Sequence, residues 1–243
     1  MRRTLIHTRK PRAATAVDVR TRPRENGCRR RWSLVPGVAL PGLRIGVAAL
    51  VVLGLSGGGS TAAAASSVSG GAFGLSANVN ALVAPVAVGP LPSVTLPAEG
   101  GGPFTASLVS ANVLGLASVG VAEVRTQGNS GVGSVASSAS LLDVSAAGLV
   151  QASVVQSRCS ARADGAEGSV SIADLVVAGI PISTVNAGPN TTITLPVGRV
   201  VINEQRQDGA SGLTVNAVHV TLNALAVSGD IVLAQSRCAV ASS

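Results

Sequence analysis

The chain has 243 residues and a formal net charge of +7, but twelve of its eighteen Lys and Arg residues lie within the first 44 positions. Beyond Arg44 there are six Arg, no Lys, and nine Asp and Glu, which gives this part of the chain a net charge of −3. The sequence pI of about 11.1 is therefore no evidence for a nucleic-acid partner, because the later part of the chain lacks the basic stripe that phosphate binding needs.

Residues 1–65 are predicted to be a basic leader and signal peptide. The basic stretch is followed by an apolar run of eleven residues, Ile45–Leu55, and then by small residues that end in Ala63-Ala64-Ala65. This order is typical of secretory signals, and cleavage after Ala65 would leave a mature chain of residues 66–243. An uncleaved N-terminal helix at Ile45–Leu55 is the alternative, although a membrane span needs about 20 apolar residues. We expect a secreted or cell-wall-associated protein with no membrane contact after cleavage.

The mature chain is predicted to be all-β. Val, Thr and Ile fill short runs that are separated by Gly, Pro and Asn, and helix-favouring residues are scarce. Alternating polar and apolar residues predict a strand from Val150 to Val154. Further strands are predicted at 170–172, 180–185, 191–195, 199–203, 213–222 and 230–235, with turns at Gly100–Pro103, Gly128-Asn129, Asp164-Gly165, Gly188–Asn190, Asp208-Gly209 and Ser228–Asp230. Short strands this closely spaced favour an antiparallel β-sandwich.

Two near-repeats suggest that the sandwich has two similar halves. The segments 89–97 and 188–196 both begin with Gly-Pro and end with Thr-Leu-Pro, and Gln-Ser-Arg-Cys occurs at 156–159 and at 235–238. The predicted half-repeats are residues 66–163 and 168–243, within one domain, because 178 residues are enough for a single core. A β-solenoid, which needs more repeats of shorter period, is the alternative fold.

Cys159 and Cys238 are predicted to form a disulfide. The third cysteine, Cys28, leaves with the leader, so the mature chain keeps an even number of thiols in an exported protein. Two buried free thiols are the alternative. A zinc site is not predicted, because the mature chain adds only His219 to the two thiols and zinc takes four ligands.

The mature chain resembles the choice-of-anchor P family of exported actinobacterial proteins. The residues that carry the resemblance are 73–82 (FGLSANVNAL), 94–97 (VTLP), 201–205 (VINEQ) and 213–220 (LTVNAVHV). The resemblance implies an exported, often surface-associated protein without an established activity. Members of the family can carry a C-terminal sorting signal, whereas residues 236–243 include no apolar tail; release or non-covalent wall association is therefore expected instead of covalent anchoring.

The sharpest catalytic hypothesis is a hydrolytic site with His219 as base and Glu204 as acid or orienting carboxylate. Ser211 or Ser228 would then be the nucleophile. No Gly-x-Ser-x-Gly elbow is present, and a histidine flanked by Val218 and Val220 in a strand is more often structural. We therefore predict no catalytic residues and no enzymatic activity.

Neither a cofactor nor a metal is predicted. Asp164, Glu167 and Asp174 are acidic, but no Asp-x-Asp-x-Asp-Gly calcium loop occurs, and these residues are interpreted as solvated turn positions. Phe73 and Phe104 are the only aromatic residues of the mature chain, which argues against an aromatic sugar platform.

The predicted function is that of a structural or interaction protein at the cell surface, with the cell wall or a second copy of itself as partner. Only fifteen of the 178 mature residues are charged, so the usual protection of strand edges by charge is weak. An extracellular ligand- or glycan-binding adhesion module is the alternative, and a weak hydrolase is a third hypothesis.

Overall fold

Thirteen β-strands make up the computed structural model, which describes residues 66–82, 84–183 and 187–241. The predicted leader, its cleavage site and the apolar run Ile45–Leu55 lie outside the described residues. Among the residues described, no helix could span a membrane. The strands are β1 (Ser67–Ala81), β2 (Pro85–Thr95), β3 (Gly100–Val113), β4 (Ala117–Asn129), β5 (Ser134–Ala146), β6 (Val150–Arg162), β7 (Gly165–Ala173), β8 (Val176–Val177), β9 (Ile180–Pro181), β10 (Thr191–Leu195), β11 (Gly198–Gln207), β12 (Gly212–Ala224) and β13 (Val227–Ala241).

The strands form two antiparallel sheets that pack face to face, which confirms the predicted β-sandwich. Sheet A has the order β10-β11-β12-β13-β1-β2. Sheet B has the order β3-β4-β5-β6-β8-β9, and β7 pairs with β6 beside β8. Strands β5 and β6 of sheet B lie against β13 of sheet A. A β-solenoid is therefore not the fold of this chain.

Several predicted boundaries agree with the strands, and others are corrected. The strand predicted at 191–195 is β10, but the one predicted at 180–185 is reduced to Ile180–Pro181 among the residues described. The glycines of 100–102, predicted as a turn, begin β3 instead. Gly229, also predicted in a turn, lies inside β13, where an added Cβ would collide with the backbone oxygen of Asn78. Glycine is needed there because the backbones of two strands approach closely. In the sequence alone, such a glycine looks the same as a glycine in a turn.

Each sheet is crossed by one row of residues at which the inside–outside alternation reverses. The row in sheet A includes Asn203 and Ala234, and both have left-handed backbones with φ of 54° and 50°. On β13, Ile231 and Leu233 face the core before the row, whereas Ser236 and Cys238 face it afterwards. The corresponding row in sheet B includes Asp143, with φ of 51°. These reversals decide which side chains reach the solvent face.

The core between the sheets has a large aliphatic part and a smaller part around the disulfide. The predicted bond between Cys159 and Cys238 is present, joins β6 of sheet B to β13 of sheet A, and has a Cα–Cα distance of 5.8 Å. Buried hydroxyls separate the two parts of the core along the strands. They belong to Thr126, Ser137, Ser157 and Ser236.

The two near-repeats occupy related places in the sandwich. The blocks 89–97 and 188–196 contribute to β2 and β10, which are the two opposite edges of sheet A. The two Gln-Ser-Arg-Cys segments lie in β6 and β13, one in each sheet. Each sheet takes strands from both of the segments 66–163 and 168–243, and the half-repeats stay a prediction.

Candidate functional site

The densest polar group of the described residues lies on the solvent face of sheet A, over β11, β12 and β13. We call Glu204, Asn216, His219, Asp230 and Gln235 the histidine–carboxylate cluster. Glu204 pairs in register with Asn216, and Asn216 pairs with Gln235. The reversal at Asn203 positions Glu204 here, since strict alternation after the core residue Ile202 would turn Glu204 into the core.

His219 lies at the centre of this cluster, between two carboxylates. Its Nδ1 is 2.9 Å from Oε2 of Glu204, and its Nε2 is 2.9 Å from Oδ1 of Asp230. The residue is 8 % exposed. A neutral imidazole carries one ring hydrogen and can donate to only one of these carboxylates, whereas the protonated ring donates to both. Each nitrogen lies within hydrogen-bond distance of a carboxylate oxygen, so neither faces a third group.

A chain of side-chain amides supports Glu204 from the other side. Gln235 Nε2 donates to Asn216 Oδ1 at 2.7 Å, and Asn216 Nδ2 donates to Glu204 Oε2 at 2.6 Å. Arg206 Nη2 lies 3.2 Å from Oε1 of the same carboxylate. Asn216 is almost fully buried although it faces outward, because its neighbours close over it. The amides leave the carboxylate fixed in one orientation.

The pKa of Glu204 is lowered from its ordinary value of 4.5 by this environment. Burial alone would raise the pKa, because it penalises the charged form. The hydrogen bonds from Asn216 and Arg206 and the electrostatic attraction of His219 and Arg206 outweigh burial, and the net direction of the Glu204 pKa is downward. Glu204 is therefore a stable anion within the cluster, unlike a carboxylic acid prepared to donate a proton.

The structure brings together only part of the hypothetical hydrolytic site. His219 and Glu204 are in contact, as that hypothesis requires. Ser211 Oγ instead donates to the carbonyl oxygen of Ala163 at 3.0 Å. Ser228 lies four residues along β13 from Val232, the register partner of His219, which corresponds to about 13 Å. Neither serine reaches the imidazole, so no nucleophile–base pair is formed by these residues.

The three acidic residues considered for calcium are far apart. Asp164 precedes β7 and Asp174 follows it, so the nine residues of that strand separate them. Asp174 Oδ2 accepts a hydrogen bond of 2.6 Å from Ser153, and Glu167 lies within the strand. No cluster of three or more His, Cys, Asp or Glu suited to a metal ion occurs in the part of the chain that the structure describes.

A second polar site, not foreseen from the sequence, lies on the solvent face of sheet B. A shallow depression of about 570 Å³ is lined by Arg125, Arg158, Glu167 and several serines. Arg125 and Arg158 are 33 positions apart in the sequence and come together only through the register of β4, β5 and β6. No local sequence motif contains both arginines, and the net charge of the whole chain does not indicate that they lie together.

Comparisons of the chain with protein-family models, with curated proteins and with solved structures find no match. The resemblance to the choice-of-anchor P family therefore stays a prediction. A function for this chain has to be inferred from the disulfide and from the geometry of its two polar sites.

Proposed function

We propose that the protein is exported and acts outside the cytosol as a structural or interaction protein without catalytic activity. The observation that carries this proposal is the Cys159–Cys238 disulfide, which is buried and joins the two sheets. Disulfides form and persist in oxidising compartments and are rare in the cytosol. A sandwich cross-linked in this way is compatible with the secreted or wall-associated location that the leader predicts.

The histidine–carboxylate cluster supports a non-catalytic role. His219 is occupied at both nitrogens, and Glu204 is held as an anion by amide and guanidinium donors. The cluster joins β11, β12 and β13 across their solvent face. We interpret it as a polar clasp that fixes three neighbouring strands of sheet A.

Edge strand β3 supports self-association as the interaction. Over the residues described, β3 pairs with β4 alone, and its fourteen residues include no charged side chain. Pro103 and a register shift interrupt only the start of β3, so Phe104–Val113 stays a long uncharged edge. The other sheet edges are blunted along more of their length: β2 contains three prolines, β10 has five residues, β9 has two, and β7 carries Glu167. A long, uncharged edge is a template for pairing with another strand. Two copies can join there without bringing like charges together.

Analytical ultracentrifugation of the purified exported protein, over a range of concentrations, tests this interaction. We expect a dimer in the wild type and a monomer for Ser107→Lys, because Ser107 is exposed on β3 and two lysines would meet near the twofold axis. Gln151→Lys is the matched control, since Gln151 is exposed on the same sheet but lies on the inner strand β6. A wild type that is monomeric at every concentration, or equal association of both variants, would contradict the self-association.

A ligand-binding adhesion module is the second candidate. It is favoured by the depression on sheet B and its two arginines, which offer a charged, concave surface on a domain with few charges. Binding of the exported protein to purified cell wall would support this candidate, and Ser107→Lys should leave that binding unchanged.

A further inference from the structure

Arg125, Ser138 and Arg158 form one row across three adjacent strands of sheet B, which we call the arginine row. Arg125 on β4 pairs in register with Ser138 on β5, and Ser138 pairs with Arg158 on β6. Both arginines are exposed while their chain neighbours are buried, so both side chains lie on the solvent face. Two strand spacings separate their backbones, about 9.6 Å. Guanidinium groups on such long side chains can converge over the serine between them.

Within the described part of the chain, neither arginine of the row is ion-paired, although two carboxylates lie one row away: Glu123, two residues from Arg125 on the same face of β4, and Glu167, which lines the depression. On sheet A, Arg206 pairs with Glu204 and Arg237 pairs with Asp208, each at 3.2 Å. In contrast, neither Arg125 nor Arg158 forms an ion pair among the residues described. Arg125 Nη2 donates only to the uncharged Oε1 of Gln127, at 3.1 Å. Because no carboxylate of the described residues contacts either guanidinium group directly, both groups can donate hydrogen bonds to an external anion.

The two Gln-Ser-Arg-Cys segments provide an internal comparison. Each places an arginine on the solvent face of its sheet, next to a disulfide cysteine that points into the core. Arg237 of the second segment is held by Asp208, whereas Arg158 of the first segment faces the depression on sheet B. The arginine of this shared segment is therefore ion-paired on sheet A and, among the described residues, not ion-paired on sheet B.

Polar groups suited to anion binding surround the row. The depression is lined by Ser138, Ser160 and Ser169 as well as by the two arginines. Glu167 also lines it, one row away, where it pairs in register with Ser160. The serine hydroxyls and the two guanidinium groups are all hydrogen-bond donors. A phosphodiester group presents two charged non-bridging oxygens and two ester oxygens in a tetrahedral arrangement, whereas the two oxygens of a carboxylate lie in one plane; both anions accept the bidentate fork of arginine.

We propose that the arginine row binds the phosphate groups of a phosphodiester polymer of the cell envelope. This inference rests on the second candidate function, because it names the ligand class of that adhesion module. The depression is open and shallow, so a chain of phosphates can cross it while one phosphate is held between Arg125 and Arg158. Binding of this kind is electrostatic and weakens as salt concentration rises.

Isothermal titration of the purified exported protein with poly(glycerol phosphate) tests the proposal, with polygalacturonate and neutral dextran as comparison polymers. We expect binding to the phosphate polymer, weaker binding to the carboxylate polymer and none to dextran. Arg158→Gln and Arg125→Gln should each raise the dissociation constant at least about tenfold, equivalent to ~1.4 kcal/mol. Arg158→Lys should lie between wild type and Arg158→Gln, because it keeps the charge and loses the bidentate fork.

Arg199→Gln is the matched control, since Arg199 is exposed on sheet A and forms no ion pair among the described residues. Its dissociation constant should stay within about twofold of wild type, and the thermal unfolding midpoints of all variants should agree. The proposal is overturned by no binding in the wild type, by equal binding to polygalacturonate, or by equal losses in Arg199→Gln and Arg158→Gln. None of these results bears on export or on pairing at β3, which are tested separately.

Discussion

Removal of the disulfide should be the most damaging simple change to this domain. Cys159 and Cys238 are separated by 79 residues, so their bond closes a long loop in the unfolded chain. The chain-entropy relation gives a stabilisation of roughly 4.5 kcal/mol at 25 °C for a loop of this length. That is a large part of the about 5–15 kcal/mol by which domains are usually stable.

The double variant Cys159→Ala/Cys238→Ala should therefore lose about 4 to 5 kcal/mol of unfolding free energy. Both positions are buried, and the small cavity left by the sulfurs adds to the loss. The measurement is urea unfolding followed by far-UV circular dichroism, with extrapolation to water. Each single variant breaks the same bond, so each should lose nearly as much as the double variant.

A double variant that loses less than about 1 kcal/mol would refute a major stabilising role for the bond. That result would mean that the sandwich holds its sheets together without the cross-link, or that the unfolded chain is already compact. Losses in the two single variants that add up to the loss in the double variant would also contradict a shared bond.

Three further predictions concern individual side chains. Folding lowers the pKa of Glu204, so the ionised carboxylate stabilises the domain above about pH 4.5, and this stabilisation is lost as the pH falls through the folded-state pKa. Glu204→Gln should therefore be less stable than wild type at pH 7. The urea midpoints of wild type and Glu204→Gln, measured from pH 7 to pH 3, should converge at low pH. Ser157→Ala and Ser236→Ala should each raise the unfolding free energy by up to roughly 1 kcal/mol, because these buried hydroxyls find no hydrogen-bond partner among the described residues; a loss in both variants would show that the hydroxyls are satisfied. Gly168→Val should destabilise the domain by about 1–3 kcal/mol, because a Cβ there already collides with Val215 of the facing sheet; an unchanged thermal midpoint would contradict this close packing.

The fold class could be predicted because composition and turn residues already exclude helices. The bounds predicted for Thr191–Leu195 agree with the observed strand, since β-branched residues fill it and Gly188–Asn190 precedes it as a turn. The rows of reversed alternation could not be predicted. Ala234 has a left-handed backbone with φ of 50°, which costs a non-glycine residue about 1–2 kcal/mol and leaves no mark in the sequence.

The candidate sites were predictable only in part, because strand register and the reversals of alternation cannot be read from the sequence. The sequence indicates His219 and Glu204 as a pair, but the strand register is needed to place Asp230 on the second nitrogen of His219. The reversal at Asn203 decides that Glu204 faces solvent. The arginine row required the pairing of three strands, and its residues are too far apart in the sequence for any local pattern to join them.

Export of a cross-linked sandwich is best tested by mass spectrometry of fractionated culture, with alkylation of free thiols before digestion. We predict a processed chain that begins near Ser66, is found in the wall fraction or the medium, and has both Cys159 and Cys238 protected from alkylation. Intact chain found only in the cytoplasm, with both cysteines alkylated, would contradict both the export and the disulfide.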